Sequence, residues 1–213
     1  MRYHRIPDET VRRLPIYLRG ATYLSRQGVR SISSQKLAAL IRINAWQIRK
    51  DFSYFGDFGT PGVGYDIATL IKHVKKILKL EAVHKTALVG VGNLGSALLA
   101  YTGFGVYGFQ IAAAFDADKR KIGKKKSGVL IEDAAELHSL KERKIKLGII
   151  AVPEDSAQDI ADELVGAGVN GILNFAPRYI VVSRKVKVIT IDIAMDLARL
   201  PYYVPAGEPN QQR

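Results

Sequence analysis

Three glycines at fixed spacing give this chain its clearest chemical signature. They lie in the run Gly90-Val91-Gly92-Asn93-Leu94-Gly95, which has the G-x-G-x-x-G spacing of a loop that binds a pyrophosphate. In such a loop the first glycine permits a tight turn, the second lets the backbone approach the phosphates, and the third lets a helix pack on the preceding strand. The phosphates then lie at the N-terminus of that helix, where backbone N–H groups favour an anion.

An acidic residue follows the glycine run at the distance expected for a ribose contact. Asp116 lies 21 residues after Gly95, at the end of the apolar segment 111–115, and such an acid accepts hydrogen bonds from ribose hydroxyls. The same carboxylate would repel a 2′-phosphate. The sequence therefore predicts a site for NAD(H) rather than NADP(H), a preference weakened by the nearby basic residues 119–121.

Groups that could catalyse hydride transfer do not accompany this loop. The chain has no cysteine, which excludes disulfides and thiolate metal sites. Surface positions are expected for all four histidines, because none follows a predicted strand of the nucleotide domain. We therefore predict a cofactor that is bound without being turned over, no catalytic residue and no metal. The histidines are His4, His73, His84 and His138.

The segments that must hold the glycine loop alternate between strands and helices. A short apolar strand at 85–89 leads into the loop, and a helix at 94–100 leads out of it. An amphipathic helix is predicted near 155–167. This alternation predicts an α/β fold with a doubly wound parallel sheet of the Rossmann type. Ligands bind at the carboxyl edge of such sheets, so Val152, Pro153 and Phe175 are predicted to line the nucleotide site. The further predicted strands are 111–115, 145–152, 171–174 and 186–191.

Most of the net charge of +12 lies before the glycine loop. Residues 1–80 carry 15 basic and 5 acidic side chains, whereas residues 81–213 carry 17 and 15. A basic balance favours a polyanionic partner such as DNA, although proteins that bind RNA, ribosomes or anionic membranes share it. A basic leader joined to a dinucleotide site predicts a DNA-binding protein controlled by a cofactor.

Helix-start signals divide the basic segment into short helices. A first helix is predicted after Pro7, and Pro15 within it is expected to kink or restart the helix. Ser33-Ser34 and Asn44 are N-cap signals for a second and a third helix, with Gln47 three residues after Asn44 as in a capping box. Two short helices joined by a tight turn predict a helix-turn-helix. The apolar face of the first helix is Val11, Leu14, Leu18 and Ala21.

The third helix has a polar outward face that suits a major groove. A helical wheel points Ala45, Ile48 and Phe52 inward and places Arg49 on the flank. Glutamine can pair with adenine, and arginine or lysine with guanine. A solvated surface helix is the alternative interpretation. The outward residues are Trp46, Gln47, Lys50 and Tyr54.

Four glycines and a proline lie between aromatic residues in the segment 55–65, a composition typical of hairpins and turns. A small hairpin directly after a recognition helix predicts the wing of a winged-helix domain; a flexible surface loop is the alternative. Asp66 then caps a helix that ends this domain. The predicted DNA contacts are Ser34, Gln35, Trp46, Gln47, Arg49, Lys50, Tyr54 and Phe58.

The last predicted helix, residues 192–200, is apolar nearly all round and must be buried. A second subunit could cover it, and packing against its own sheet is the alternative. We predict a winged-helix DNA-binding domain at 1–80, a Rossmann NAD(H)-binding domain at 81–191, a dimerisation helix at 192–204 and a disordered tail at 205–213. No apolar stretch is long enough to span a membrane, which predicts a soluble cytoplasmic protein.

Taken together, the segments 47–56, 90–95 and 171–177 closely resemble the Rex family of redox-sensing transcriptional repressors. The resemblance covers nearly the whole chain and both predicted domains. It implies a homodimer that binds double-stranded operator DNA, represses respiratory and fermentative genes, and leaves its operator when NADH binds. NAD+ is then expected to compete weakly or to support the DNA-bound form.

The resemblance also implies roles for residues outside the glycine loop. Tyr101 matches an aromatic residue near the nicotinamide, and Arg13 and Asp192 match a pair that bridges the two domains in the DNA-competent state. The family exchanges its C-terminal helix between subunits, whereas Pro201 and Pro205 interrupt that helix here.

Two other classes of function are compatible with parts of the sequence. An NAD-dependent oxidoreductase with a basic accessory domain predicts turnover, and the lack of a suitably placed histidine counts against it. A CoA- or nucleotide-binding module without DNA function shares the sheet, but the outward Gln47 and Lys50 and the predicted wing count against it.

Overall fold

Two units make up the chain, residues 1–82 and residues 83–213. The structure is a computed structural model that describes residues 6–56, 58–60 and 62–204. The first unit contains four helices and two short strands. In chain order these are α1 (Asp8–Arg26), β1 (Ser31–Ile32), α2 (Ser34–Ile41), α3 (Ala45–Ser53), β2 (Tyr65–Asp66) and α4 (Ile67–Ile77).

Side-chain caps start three helices of the first unit where the sequence predicts them. The Ser33 hydroxyl accepts a hydrogen bond from Lys36 N at 3.2 Å, and the Asn44 side chain accepts one from Trp46 N at 2.8 Å. Asp66 caps α4 in the same way. Helix α2 ends at Arg42, whose φ of 55° turns the chain into α3. The predicted helix-turn-helix is therefore confirmed.

The wing region differs in its pairing from a simple hairpin. Strand β2 pairs antiparallel with β1, which precedes the helix-turn-helix, and Thr60 forms an isolated bridge with Gly64. Beneath it, Phe52 of α3 is surrounded by three aromatic rings at centroid distances between 4.7 and 5.2 Å. This cluster joins α1, α3 and the wing, and its outer members are Tyr17, Phe58 and Tyr65.

Helix α1 departs from prediction at two places. It runs through Pro15 as one helix, so the predicted restart is absent between residues 8 and 26. Pro15 is exposed. Val11 is 41% exposed, whereas Leu14, Leu18 and Ala21 are buried as predicted. The buried face instead recruits Thr10 and Tyr17, both of which have polar partners inside the unit.

The second unit is built around one seven-stranded sheet of order β5-β6-β4-β3-β7-β8-β9. All neighbours pair in parallel except β5 and β6. The six parallel strands, taken in chain order, give the 3-2-1-4-5-6 arrangement of a Rossmann sheet. The strands are β3 (His84–Val89), β4 (Phe109–Asp116), β5 (Lys125–Lys126), β6 (Val129–Asp133), β7 (Leu147–Ile150), β8 (Gly171–Asn174) and β9 (Lys187–Thr190).

Apolar side chains cover both faces of this sheet, as a doubly wound fold requires. Phe115 lies in the larger cluster with residues of α7, and Ala114, one position earlier, lies in a smaller cluster with Leu99 of α5. The predicted fold class is thereby confirmed. The helices are α5 (Asn93–Ala100), α6 (Gly103–Val106), α7 (Ala157–Gly166) and α8 (Ile193–Ala198), with 3-10 turns at Ala134–Leu140, Glu154–Ser156 and Leu200–Tyr203.

Two leucines of α2 provide a test of where the core of the first unit lies. Leu37 is fully buried and Leu40 is 42% exposed. We expect Leu37→Ala to lower the free energy of unfolding by about 2–5 kcal/mol because it leaves a cavity. Leu40→Ala should cost about 1 kcal/mol or less. Urea unfolding followed through Trp46, the single tryptophan, measures both; equal losses would contradict this packing.

Candidate nucleotide-binding site and nucleic-acid interface

The glycine loop joins β3 to α5 in the manner that its spacing predicts. Gly90 has a φ of +92°, a left-handed conformation that favours glycine. A Cβ added at Gly95 would overlap the carbonyl oxygen of Gly90, so the helix packs against the turn only because residue 95 has no side chain. Gly92 stands at the N-cap of α5, and a Cβ there would meet open space. The backbone at Gly92 is thus accessible to a ligand.

The ends of neighbouring strands bring the other predicted nucleotide contacts beside this loop. Gly90 N donates to Phe115 O, and Ala151 N donates to Val89 O, each at 2.8 Å. Phe175 N donates to Ile150 O at 2.9 Å. Val152, Pro153 and Phe175 therefore follow strands next to or near β3 at its carboxyl edge. The strand order reverses at β3, which is where Rossmann folds bind ligands.

Asp116 is the last residue of β4, at the same edge of the sheet, and it ties the glycine loop to this strand. Its Oδ2 accepts hydrogen bonds from Val91 N at 2.7 Å and from Lys121 Nζ at 2.9 Å, and its Oδ1 accepts one from Asp118 N at 2.8 Å. Burial alone would raise the pKa of Asp116, but these donors together hold it below its usual value. Asp116 is 8% exposed. Lys121 offsets its charge, which weakens its repulsion of a 2′-phosphate.

Asn174 is a residue of this edge that sequence reasoning passed over. It is fully buried at the end of β8, where its Nδ2 donates to the carbonyl oxygens of Ala176 and Arg178 at 3.0 Å. Its Oδ1 accepts from Ala176 N at 2.9 Å. These bonds hold the loop that carries Phe175. The only signal for this role in the sequence is an asparagine at the end of the predicted strand 171–174, because its side chain can bond the backbone two residues further on.

Tyr101 lies at the opposite end of α5 from the glycine loop. It is the C-cap of that helix, is 60% exposed, and contacts Phe104 edge-to-face at 5.2 Å. An exposed ring at this position is available to a ligand or to another chain. Its predicted place near a nicotinamide stays a prediction.

Several residues that are predicted to contact DNA lie on or beside helix α3, and they contact one another in pairs. Arg49 Nη1 donates to Ser34 Oγ at 2.8 Å, which joins α3 to the start of α2. Lys50 Nζ lies 4.8 Å from the ring centre of Trp46, a cation–π contact, and Trp46 is 57% exposed. Gln35 is exposed as well, and Tyr54 is half-buried. The face carries cations and an aromatic ring held by local contacts.

Two predicted DNA contacts are placed differently from expectation. Phe58 is 8% exposed and stacks on Phe52 at 4.7 Å, so it belongs to the core beneath the wing, and its prediction as a DNA contact was wrong. Gln47 is half-buried rather than fully exposed. Its Nε2 donates to Asp51 Oδ1 at 2.8 Å, so the capping box predicted with Asn44 is replaced by this bond.

Asp51 is the buried polar centre of the first unit, and the helical wheel alone did not single it out. Its side chain is completely buried. Besides Gln47, it accepts hydrogen bonds from Thr10 Oγ1 at 3.0 Å and from the Tyr17 hydroxyl at 2.5 Å. Arg13 donates to both carboxylate oxygens, at 2.6 and 2.9 Å. The three α1 donors tie α3 to the first helix.

The hydrogen bonds and burial of this network determine which of its side chains are charged. Burial alone would raise the pKa of Asp51, but the bonds from Arg13, Tyr17, Gln47 and Thr10 lower it to about 2. Burial and Asp51 raise the pKa of Tyr17, and the bond to Asp51 raises the pKa of Arg13. At neutral pH the centre is therefore an ionised carboxylate that only accepts hydrogen bonds.

The predicted pair of Arg13 and Asp192 has to compete with contacts inside each unit. Arg13 forms a two-point ion pair with Asp51. Asp192 caps α8 by accepting a hydrogen bond from Met195 N at 3.0 Å. Arg13 uses Nε and Nη2 for Asp51, so its guanidinium need not leave Asp51 to meet a second carboxylate. The pair stays a prediction.

The C-terminal segment is apolar, but within this single chain it is exposed. None of its described helical residues is buried, which argues against the alternative that it packs on its own sheet. Pro201 lies in the 3-10 turn Leu200–Tyr203 that follows α8; Pro205 and the predicted tail lie outside the described residues. We call this segment the C-terminal apolar surface: Ile193, Met195, Leu197, Leu200, Tyr202, Tyr203 and Val204.

Metal binding, membrane insertion and histidine chemistry can each be checked against the described residues. Among them no group of three or more potential metal ligands comes together, and no helix is long and apolar enough to cross a membrane. His73 contacts Phe58, His84 starts β3 and His138 lies in a 3-10 turn, while His4 lies outside the described residues.

Known proteins with similar sequences cover both units. The model of the putative DNA-binding protein N-terminus family matches residues 5–53, and that of the CoA binding domain family matches residues 82–178. The redox-sensing transcriptional repressor Rex of Chloroflexus aurantiacus is 46% identical over 93% of this chain and 94% of its own length. The chain belongs to the Rex family. The Rex repressor of Streptomyces coelicolor is 42% identical over 93% of this chain and 77% of its own length.

Solved Rex structures share the same fold. RSP in complex with β-NAD+ and operator DNA matches with a TM-score of 0.88 and 35% identity, over 93% of this chain and 92% of RSP. RSP in complex with β-NADH matches with a TM-score of 0.85 and 34% identity, over 93% of each chain. These relatives are named as repressors, so the family of this chain is one of transcription regulators and not of oxidoreductases.

Acid unfolding tests the charge state of Asp51. Its folded pKa of about 2 lies below the usual 3.8, so ionised Asp51 stabilises the first unit above about pH 4 and loses this effect as the pH falls through 2. We expect Asp51→Asn to lower the free energy of unfolding at pH 7 by on the order of 3 kcal/mol. This difference should shrink between pH 4 and pH 2.

Urea titrations at a series of pH values, read through Trp46, measure this difference. Asp8→Asn is the matched control, because Asp8 pairs with Arg12 in an ion pair whose side chains are both more than half exposed. Its effect should stay below about 1 kcal/mol. A deficit of Asp51→Asn that is constant from pH 7 to pH 2 would show that the carboxylate charge is not what stabilises the unit.

Proposed function

We propose that this chain is an NADH-responsive transcriptional repressor that binds palindromic operator DNA as a homodimer and leaves it when NADH binds. The observation that carries the proposal is the presence in one Rex-family chain of a formed glycine loop and a helix-turn-helix. A relative with the same fold over 93% of this chain was crystallised with β-NAD+ and operator DNA. Such a protein acts in the cytoplasm, where DNA and NADH meet.

Helix α3 is the element that we propose enters the major groove. Its exposed Trp46, Arg49 and Lys50 project from a unit whose first 80 residues carry 15 basic and 5 acidic side chains. Phosphate neutralisation by this charge supplies affinity, and side chains of α3 that reach base edges supply specificity. The wing at 60–66 follows α3 and is proposed to contact the neighbouring backbone. Ser34 and Gln35 at the start of α2 complete the proposed contact surface.

The nucleotide is proposed to lie across the carboxyl edge of the sheet. Gly90 to Gly95 would hold the pyrophosphate and Asp116 the adenine ribose. Val152, Pro153 and Phe175 follow β7 and β8, where they can border the nicotinamide half, and Tyr101 is proposed to contact it. No residue is assigned a catalytic role, since the cofactor serves as a signal.

A second copy of the chain is proposed to cover the C-terminal apolar surface. Its members are exposed by between 53% and 88% in the single chain, including Leu200 at 53% and Tyr202 at 88%. Contiguous apolar surface of this kind marks an interaction site. Two copies related by a two-fold axis would place two α3 helices for the two half-sites of a palindrome, about 34–36 Å apart.

A redox switch requires that NADH distinguish two states of the dimer. NADH must bind the DNA-incompetent arrangement more tightly than the competent one, and operator DNA must then weaken NADH binding by the same factor. A change in the spacing of the two α3 helices would suffice to break the match to the palindrome. An Arg13–Asp192 contact would be one way to favour the competent state.

Binding of a selected palindrome with and without nucleotide tests the switch. We expect NADH to weaken operator binding by roughly 5- to 150-fold, the usual range of allosteric coupling, and NAD+ to have a much smaller effect. Fluorescence anisotropy measures operator affinity, and NADH fluorescence measures the reciprocal effect of DNA. Gly95→Ala should lose the NADH response and keep operator binding, because its Cβ overlaps the Gly90 carbonyl. Binding indifferent to sequence and nucleotide would contradict the proposal.

Charge placed in the C-terminal apolar surface tests the dimer. We expect Leu197→Glu to weaken dimerisation by at least roughly 30-fold, because a carboxylate would be buried without a partner. Leu130→Glu is the matched control, since Leu130 is 44% exposed on β6, outside this surface. Sedimentation velocity at several concentrations reports the subunit number. An unchanged dimer in Leu197→Glu would place the interface elsewhere.

A further inference from the structure

The side-chain amide of Gln47 is held in one orientation by Asp51. The two residues lie one turn apart on α3, and Gln47 Nε2 donates to Asp51 Oδ1 at 2.8 Å. An amide has two unlike ends, a donating NH2 group and an accepting carbonyl. With the NH2 group on Asp51, the carbonyl oxygen Oε1 is at the other end of the amide.

The opposite orientation is excluded by the chemistry of Asp51. Its carboxylate only accepts hydrogen bonds, so a flipped amide would place Oε1 against Oδ1 without a proton between them. A protonated carboxyl could donate, but the low pKa of Asp51 keeps it ionised near neutral pH. The orientation of the amide therefore follows from the charge of its partner.

Asp51 cannot turn away to release the amide, because α1 holds it from the other side. Arg13 donates to both of its oxygens, and Thr10 and Tyr17 donate to one each. The carboxylate is completely buried. Rotating it would break several charge-assisted hydrogen bonds at once, each stronger than a neutral one.

We infer that Asp51 is a positioning residue for operator recognition, which fixes Gln47 so that its carbonyl oxygen reads an exocyclic amino group, adenine N6 or cytosine N4. The inference rests on the proposed function, in which α3 enters a major groove. There, adenine N6 and cytosine N4 are donors, whereas guanine O6, thymine O4 and purine N7 are acceptors. Asp51 takes one of the two N–H groups of Gln47 and fixes the carbonyl end of the amide, so a base contact uses Oε1, alone or with the remaining N–H beside it.

Base analogues in a half-site selected by the wild-type protein test this directly. Each adenine is replaced in turn by purine, which lacks the 6-amino group, and each cytosine by its analogue lacking the 4-amino group. We expect at least one substitution to weaken wild-type binding by roughly 5- to 150-fold, the range for one base contact. The same substitution should have no effect on binding by Gln47→Met. Gln27→Met is the matched control, since Gln27 is exposed at the end of α1.

Replacing purine N7 by carbon, with 7-deaza bases, tests whether Gln47 instead donates a hydrogen bond to the DNA. Coupling of Gln47 to an N7 without coupling to an amino group would overturn the inference, because such a contact would use only the remaining N–H and not the carbonyl oxygen that Asp51 fixes. So would Gln47→Met that keeps every analogue effect of the wild type. In Asp51→Asn the amide of Gln47 can take either orientation. We therefore expect the amino-group analogue to weaken operator binding less in this variant than in the wild type, with NADH affinity unchanged.

The outcome is distinguishable from failure of the proposed function. The wild-type protein must first prefer the selected palindrome over scrambled DNA, and absence of that preference would contradict the repressor itself. A wild-type protein that is specific, yet shows no coupling between Gln47 and any amino group, overturns only the role given to Asp51. The wild-type analogue series needs no folded variant, so instability of Asp51→Asn does not weaken the test.

Discussion

The first unit depends on one buried negative charge. Asp51 lies on α3, but three of the four side chains that neutralise or solvate it come from α1. A carboxylate removed from water is unfavourable unless its hydrogen bonds are complete, so α1 and α3 can approach only in an arrangement that supplies all these donors. Buried apolar side chains such as Leu14, Leu18 and Phe52 provide the driving force for packing, and the donors that Asp51 requires limit the arrangements in which they can pack.

The second unit uses a carboxylate for a related purpose. Asp116 receives a backbone N–H from the glycine loop and another from the turn that follows β4. It thereby joins the ends of two strands that are separate in sequence. In each unit, an acidic residue that the sequence presents as a ligand contact or a surface charge also holds two elements together. Its hydrogen bonds within the chain are already formed before any partner binds.

Local signals made much of this protein predictable. Ser33, Asn44 and Asp66 act as caps because capping needs only a side chain and the next few backbone groups, and the glycine loop follows from steric rules at single positions. The surroundings of Phe58 and Gln47 were not predictable, for the opposite reason. Their surroundings come from Phe52, His73 and Asp51, and a helical wheel or a turn composition contains no information about such neighbours. Strands as short as β5 are likewise too short to show the alternation of apolar and polar residues by which a strand is predicted.

The C-terminal helix α8 shows the same limit of sequence patterns, which do not identify the neighbours of a residue. The apolar pattern of α8 predicts that the helix is covered, but a pattern along one chain does not name the surface that provides the cover. The Rossmann sheet was predictable because its strands and helices cover one another within the chain. The assembly depends on contacts that a periodicity does not describe.

The tie between Asp116 and the glycine loop has a consequence for how a redox signal can be read. NADH and NAD+ carry the same adenosine diphosphate, so a loop that is already ordered around that half binds both forms with the same contacts. A preorganised anchor of this kind lowers the entropy lost on binding and sets a common baseline affinity. The two electrons that separate the forms can be sensed only at the nicotinamide end of the ligand, where a planar cation becomes a puckered neutral ring, so discrimination between them must come from residues beyond the glycine loop.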